Sequence, residues 1–336
     1  MTVPATLAEA RSPAWLSSVL GAEVTDVAAG PVDDRVSTNA PVHVTLADGR
    51  ALDLWIKGYF TESGGRMRYA GVPEIHFYRE LAPTAGLRTP RCRYAEVDPA
   101  TSYNVLVTED VGAGVTFPDG RDPLTPDQVA QSLSELAGLH AATWRRPGLA
   151  DAPWLASRME LYTVHRGVPD IVRNFESEPG AGLPAAVRDA ERLIAAYRVL
   201  AAEVAAADPW CVVHGDAHIR NIWLDPTGRP SFIDWQLVQR GPWYLDVGYH
   251  IATMLSVEDR RAHQDALVAE YLDRLVAGGI ERPSPGEVAS GLRRSFVHGF
   301  YLWAITLRVD PLAIAALLER LGTAIDDHDA YEELER

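Results

Sequence analysis

Between Cys211 and Gln236 the chain reads CVVHGDAHIRNIWLDPTGRPSFIDWQ, gathering His214, Asp216, His218, Asn221, Asp225 and Asp234 beside two short apolar runs. Oxygen and nitrogen donors at this density suit cation-assisted phosphoryl transfer or an ordinary polar turn, and the spacing favours the first. If 222–225 pairs antiparallel with 230–233 across a loop at 226–229, Ile222 faces Ile233 and Asn221 faces Asp234. Directly opposed α-carbons lie about 5 Å apart. An amide oxygen and a carboxylate would then arrive together, a donor pair that suits magnesium. Asp216 and Asn221 form D-x-x-x-x-N, in which one carboxylate receives a substrate hydroxyl proton while the asparagine reaches the metal. His214 is placed to brace that loop through backbone hydrogen bonds, and Asp225 reads as a solvated turn carboxylate.

A second chemical signal lies far upstream. The chain has 31 basic residues, and all but Lys57 are arginine. Arginine replaces lysine well on a solvated surface and poorly where a compact point charge must reach a fixed spot. Lys57 is therefore a site candidate on composition alone.

These residues need elements to carry them. PVHVTLADGRALDLWIKGYF holds two alternating runs joined at Asp48-Gly49, a hairpin signal. On the second run Leu52, Leu54 and Ile56 share one face, with Asp53, Trp55 and Lys57 on the other. VPEIHFYRELAP reads as a helix after Pro73 that stops at Pro83, with Glu74 in its first turn. RCRYAEV and SYNVLVTED form another strand pair. Between Asp110 and Pro126 the composition is that of a hinge, and beyond it the chain is mainly helical. A capping box at Thr125–Gln128 opens a helix with the stripe Val129, Leu133, Leu136, His140, Trp144, His140 being a satisfied core histidine. An alanine-rich helix follows over 184–207. Helices are also expected from near Leu245, Val257 and Pro285, the last with a second capping box at Ser284 and Glu287.

Composition narrows the functional classes. A formal net charge of −15 disfavours nucleic-acid partners, which need a basic surface. No apolar run is long enough to span a bilayer and no signal peptide is evident, so a cytoplasmic protein without a membrane partner is expected. Two distant cysteines, Cys92 and Cys211, suit a reducing compartment and exclude a cysteine-rich zinc site. Oligomeric state is not legible.

HGDAHIRN followed by FIDWQ resembles the catalytic region of the aminoglycoside phosphotransferase-like small-molecule kinases, with DWQ closer to the choline- and ecdysteroid-kinase-like branch. The resemblance runs nearly end to end. It implies an α+β, two-lobed protein-kinase-like fold: a small antiparallel-sheet lobe over 1–110, a hinge at 111–125, and a larger, mainly helical lobe over 126–336. It implies ATP and Mg2+ as cofactors and a small-molecule hydroxyl acceptor as partner. By the same resemblance Lys57 orients the nucleotide, paired with Glu74 or, as a rival, Glu80. Thr108–Val111, including Glu109 and Val111, meets adenine through its backbone, and Asp246 is structural. AAGPVDDRVSTNAPVHV departs from a Gly-rich phosphate loop, having only Gly30, and the resemblance points instead to a polar loop of Ser37, Thr38 and Asn39. No protein-kinase activation-loop pattern follows Asp234, which favours small substrates over proteins. Two readings compete: a catalytically inactive nucleotide-binding chain, and a metal-dependent hydrolase using His214, Asp216 and His218 around zinc.

Overall fold

The computed structural model describes residues 3–335, and the chain divides into two compact units. The first comprises residues up to Gly114 together with Ile233–Leu237; the second comprises Val115–Phe232 and Val238 onward. The architecture is α+β, with an antiparallel sheet in the first unit and mostly helices in the second.

The first unit is built on strands β1 (Val24–Ala29), β2 (Asp33–Asp34), β3 (Thr38–Leu46), β4 (Ala51–Gly58), β5 (Cys92–Val97) and β6 (Asn104–Glu109). Their order is β1-β3-β4-β6-β5, with β2 added to β3 and every pairing antiparallel. The β3–β4 turn is made at Asp48-Gly49, where Gly49 has φ +84°, the left-handed conformation such a turn requires. Alternation along β4 does what its sequence predicts. Leu54 and Ile56 are buried with Val105 and Val107 of β6 and with Leu16, whereas Trp55 is exposed. Each such aliphatic side chain contributes about 1.5–3 kcal/mol by leaving water.

Leu16 comes from a helix, Pro13–Leu20, that the strand-dominated reading of this region passes over; Ser12 caps it through the Trp15 N–H. The opposite sheet face, which carries Lys57, is covered by the segment 72–81. That segment is an α-helix over Val72–His76 that widens into a π-helical turn over Phe77–Leu81, closed by the Ala82 N–H donating to the Phe77 carbonyl at 2.9 Å. Turns of this type interrupt helices frequently at functional sites.

The second unit contains strands β7 (Cys211–Val213), β8 (Ile222–Leu224), β9 (Pro230–Phe232) and β10 (Gln239–Gly241), with β7 pairing β10 and β8 pairing β9. The first capping box is present and opens a helix over Pro126–Thr143; Trp144 caps its end rather than extending the buried stripe. The alanine-rich helix is shorter than expected, Ala190–Ala205, because Asp189 caps it after a separate turn at Ala185–Val187. Helices Tyr244–Met254, Val257–Ala277 and Pro285–Ala304 appear where expected, the last with its capping box, and a further helix, Pro311–His328, follows. Tyr244–Met254 is buried along its whole length after Tyr244, as expected of a central helix apolar on most faces.

The β8–β9 hairpin corrects the expected register. Ile222 pairs with Phe232, Trp223 with Ser231 and Leu224 with Pro230. The loop runs from Asp225 to Arg229, one residue longer than expected, because Gly228 adopts φ +82° and the Asp225 N–H bonds the Arg229 carbonyl at 3.0 Å. Asp225 accepts the Thr227 and Arg229 N–H groups on Oδ1, so its carboxylate does serve the turn. Neither Asn221 nor Asp234 is a member of the ladder, and cross-strand pairing is not what positions them. Among the described residues no helix is long and apolar enough to cross a membrane.

Candidate active site

In the first unit, Lys57 stands on β4 opposite Leu106 of β6 and points at the segment 72–81. Its Nζ lies 2.8 Å from Glu74 Oε2, 3.0 Å from Glu74 Oε1 and 2.9 Å from Asp234 Oδ1. The rival acid is placed elsewhere: Glu80 bonds His76 Nδ1 at 2.6 Å. Burial opposes the charge on Lys57, but the Asp234 and Glu74 carboxylates outweigh it and hold the ammonium protonated well above the ordinary lysine range. Glu74 is itself buried, which pushes its carboxyl upward against the opposing pull of Lys57.

Asp234 has φ +61°, a conformation that costs a non-glycine residue energy and persists only where the surroundings impose it. Those surroundings are visible in the next residue. The Trp235 N–H donates to Glu74 Oε1 at 3.1 Å, its indole N–H donates to Thr89 Oγ1 at 3.2 Å, and its ring stacks on Phe77 at 3.8 Å between centroids. Glu74 and Phe77, one helical turn apart, thus hold the backbone and the ring of the same tryptophan. The Asp234 side chain remains 41% exposed.

The other nucleotide-side candidates are less open than a loop would be. Thr38 and Asn39 lie in β3, with Thr38 buried and Asn39 opposite Lys57, and only a short turn at residues 35–37 joins β2 to β3. Ser37 is also buried, and its Oγ accepts from Asn39 Nδ2 at 3.3 Å and Gln236 Nε2 at 3.4 Å. Glu109 ends β6 with its carboxylate held by Arg93 and Arg91 and its N–H spent on the Arg91 carbonyl. Val111 follows at a turn where the Gly112 N–H bonds Asp110 Oδ1 at 2.7 Å.

In the second unit, β7 delivers the chain into the loop containing His214, Asp216 and Asn221. His214 is fully buried, and its Nδ1 accepts the Asp216 N–H at 3.2 Å, the bracing expected of it. Asn221 Nδ2 donates to the Asp216 carbonyl at 2.9 Å and to Asp216 Oδ2 at 3.2 Å, so its own Oδ1 takes no part in either bond. Burial works to raise the Asp216 carboxyl, but His218, His214 and Tyr249 outweigh it and hold it below its ordinary value. His218 Nδ1 accepts the Arg220 N–H at 3.1 Å. Among the described residues no group of three or more His, Cys, Asp or Glu side chains is arranged to hold a metal, so His214, Asp216 and His218 do not form a zinc cluster.

The residues that sequence reasoning undervalued lie on the buried helix Tyr244–Met254. Asp246 accepts the His214 N–H on Oδ2 at 2.7 Å and the Gly215 N–H on Oδ1 at 2.8 Å. It also pairs with His140 Nε2 at 3.1 Å, while His140 Nδ1 bonds the Tyr271 hydroxyl. Tyr249 donates to Asp216 Oδ1 at 3.1 Å, and His250 Nδ1 bonds the Ala217 carbonyl at 2.8 Å. From the third side His298 Nε2 bonds the Gly215 carbonyl at 2.9 Å. Residues 246, 249 and 250 share one helix face. Polar groups at that spacing within an otherwise apolar helix are the signal that could have found them.

Asp246 is fully buried, and burial raises its carboxyl, yet His140 outweighs this and the group is held below its usual range. Replacing it with alanine strands two loop N–H groups and His140. The expected loss is about 1–3 kcal/mol for each buried donor left without an acceptor. Urea unfolding should show it, with Asp246→Asn, which keeps one acceptor oxygen, losing less.

An antiparallel sheet bearing a lysine paired with a buried glutamate and a helical unit bearing an aspartate loop clamped from below define a kinase-like class. The sequence model of the phosphotransferase enzyme family (APH) matches residues 70–285, more than half of the chain, and the chain belongs to that family. An uncharacterised kinase-like protein of Caenorhabditis elegans is 26% identical over 214 residues, covering 61% of this chain and 56% of that protein. The match thus spans little more than half the length of that curated relative. Among solved structures, a candidate aminoglycoside phosphotransferase of Ralstonia eutropha superimposes with TM-score 0.59 at 14% identity, covering 96% of this chain and 97% of its own. A choline kinase of Streptococcus pneumoniae gives TM-score 0.52 at 12% identity, covering 94% and 97%. At these identities the likeness is one of fold.

Proposed function

We propose that this chain is an ATP-dependent phosphotransferase that transfers the γ-phosphate to a hydroxyl group of a small molecule. The observation that carries the reading is Lys57, the lone lysine, half-buried as an ammonium between Glu74 and Asp234. A point charge held at a fixed place suits the orientation of nucleotide phosphates. Family membership and the kinase-like relatives support the same reaction class.

Within the first unit, Glu74 fixes Lys57 and Asp234 offers a part-exposed carboxylate. Within the second, Asp216 receives the acceptor hydroxyl's proton and His214 keeps its loop in shape. Asp234 and the Asn221 amide oxygen are hard oxygen donors of the kind magnesium takes, and they would hold that ion. Magnesium, when bound, neutralises charge on the nucleotide phosphates. The backbone around Glu109 and Val111 would meet the adenine, and Ser37, Thr38 and Asn39 would flank the phosphates. Alignment and charge neutralisation are expected to dominate, since phosphoryl transfer leaves the protein little covalent chemistry. The free cysteines Cys92 and Cys211 fit a cytoplasmic setting.

The full chain incubated with magnesium and γ-labelled ATP is expected to label one class within a panel of amino alcohols, aminoglycosides, sugars and sterols. Failure to bind or turn over either ATP or GTP would leave the family's scaffold without its reaction. Stoichiometric, tightly held zinc in the purified protein would point to hydrolysis instead.

A further inference from the structure

We propose that a cavity in the second unit, between the end of the helix Val168–Phe175 and the linker that joins Pro285–Ala304 to Pro311–His328, is a binding site for an aliphatic amino acid. The inference stands apart from the phosphotransferase reading, because no lining residue belongs to the aspartate loop or to the helix Tyr244–Met254 beneath it. The cavity holds about 260 Å³. Pockets for drug-sized ligands begin at about 300 Å³, so this space suits a smaller molecule. Leu307, Val309, Pro311 and Ile314 give it an apolar wall. Arg173 and Glu178 bring one charge of each sign, and Asn174 brings an amide.

These polar groups lack partners within the protein. Asn174 is only 4% exposed, and its Nδ2 donates to the Ala304 and Thr306 carbonyls at 2.8 Å each. Two carbonyls on one nitrogen fix which end of the amide is which. Its Oδ1 takes no part in either bond, and among the described residues nothing donates to it. Arg173 and Glu178 line the same cavity without pairing, and among the described residues neither side chain has another partner. The carbonyls held by Asn174 lie at the end of Pro285–Ala304, and the C-terminal end of a helix favours a cation. A zwitterion answers every one of these groups. Its ammonium would meet Asn174 Oδ1 and the Glu178 carboxylate, and its carboxylate the planar fork of Arg173. Its aliphatic side chain would lie against Leu307, Val309 and Ile314. A ligand with a single charge leaves either Arg173 or Glu178 unanswered.

The plainer account is a surface hollow at a helix-to-helix connection, its two charges served by water as most surface charges are. Arg173 and Glu178 are both exposed, which suits that account. It gives no reason for a nearly buried amide oxygen without a donor. It also predicts no saturable binding, and no dependence of weak binding on both charges together. Exposure makes the two readings separable, since either side chain can be neutralised without disturbing the core.

The test titrates the full chain with leucine by calorimetry, with isoleucine and valine as alternatives in size. One molecule should bind per chain. Arg173→Gln and Glu178→Gln should each weaken that binding by about tenfold or more, the effect of losing a hydrogen bond between charged groups. Isocaproate, which lacks the ammonium of leucine, and isoamylamine, which lacks its carboxylate, should bind the native chain about tenfold or more weakly for the same reason. These amino acids carry no side-chain hydroxyl to phosphorylate, so the outcome does not depend on whether the chain turns over ATP. Absence of saturable heat from all three at millimolar concentration overturns the proposal. Binding of native strength in both variants also overturns it, by placing the amino acid elsewhere. An effect from only one variant, or an analogue that matches leucine, overturns it as well, because the ligand would then be singly charged.

Discussion

Asp216→Asn is expected to lower phosphoryl transfer by about 10²–10⁴-fold, the usual contribution of a positioned base, while leaving the dissociation constant for MgATP within about twofold of the native value, against a factor of ten for each 1.4 kcal/mol lost. Asparagine matches aspartate in shape, so the loop's backbone bonds to Asp246 and His214 survive the change. What changes is the inventory of donors. Tyr249 and Asn221 both donate to this side chain, and an amide can offer an oxygen to one of them only, presenting its NH2 to the other. A modest fall in thermal midpoint should therefore accompany the catalytic loss. Single-turnover measurements with labelled ATP, alongside nucleotide titration by calorimetry, separate the two effects. Full activity in this variant would remove Asp216 from the mechanism.

Lys57→Met should be comparably damaging, for an electrostatic reason. The native ammonium sits within 3.0 Å of both Glu74 and Asp234. Removing it leaves the buried Glu74 carboxylate without its cation, and breaking a buried pair in this way costs about 3–5 kcal/mol. Asp234 is part-exposed and water recovers some of its share, so the lower end of that range applies. The deficit should depend on pH in a defined sense. Unpaired and buried, Glu74 has a raised carboxyl pKa in the folded variant. Its penalty is fully present above that value and fades as pH falls toward the unfolded carboxylate range. Denaturant unfolding at pH 7 and pH 4.5 would show the gap between native and variant chains narrowing at the lower pH. Lys57→Arg should restore charge without restoring turnover. A planar fork cannot place one nitrogen at the point where three carboxylate oxygens converge. Recovery of activity in the arginine variant would show that charge alone suffices there.

The legible parts of this protein are those whose cause lies within a few residues. Asp48-Gly49 makes its turn because the left-handed conformation is a property of that dipeptide, and the boxes at Thr125 and Ser284 cap their helices because donor and acceptor are three residues apart. Lys57 stood out because every other basic residue is arginine. The bracing of Asp216 by His214 spans two residues and follows from the loop's own sequence.

What escaped the sequence lies across longer separations. The Lys57 contact with Asp234 joins positions 177 residues apart, and the choice of Glu74 over Glu80 depended on which side of one helix faced β4. The β8–β9 register turned on Gly228 taking a left-handed conformation, a shift of one residue that removed Asn221 and Asp234 from the ladder. The convergence of 246, 249 and 250 on one loop exists only once the helix Tyr244–Met254 is packed against it. Chain chemistry therefore determined which residues could act and which short segments would turn or coil. Tertiary packing alone decided which of them meet, because a contact between distant positions is selected by the burial of whole faces and by the pairing of buried charge, neither of which any short stretch of sequence contains.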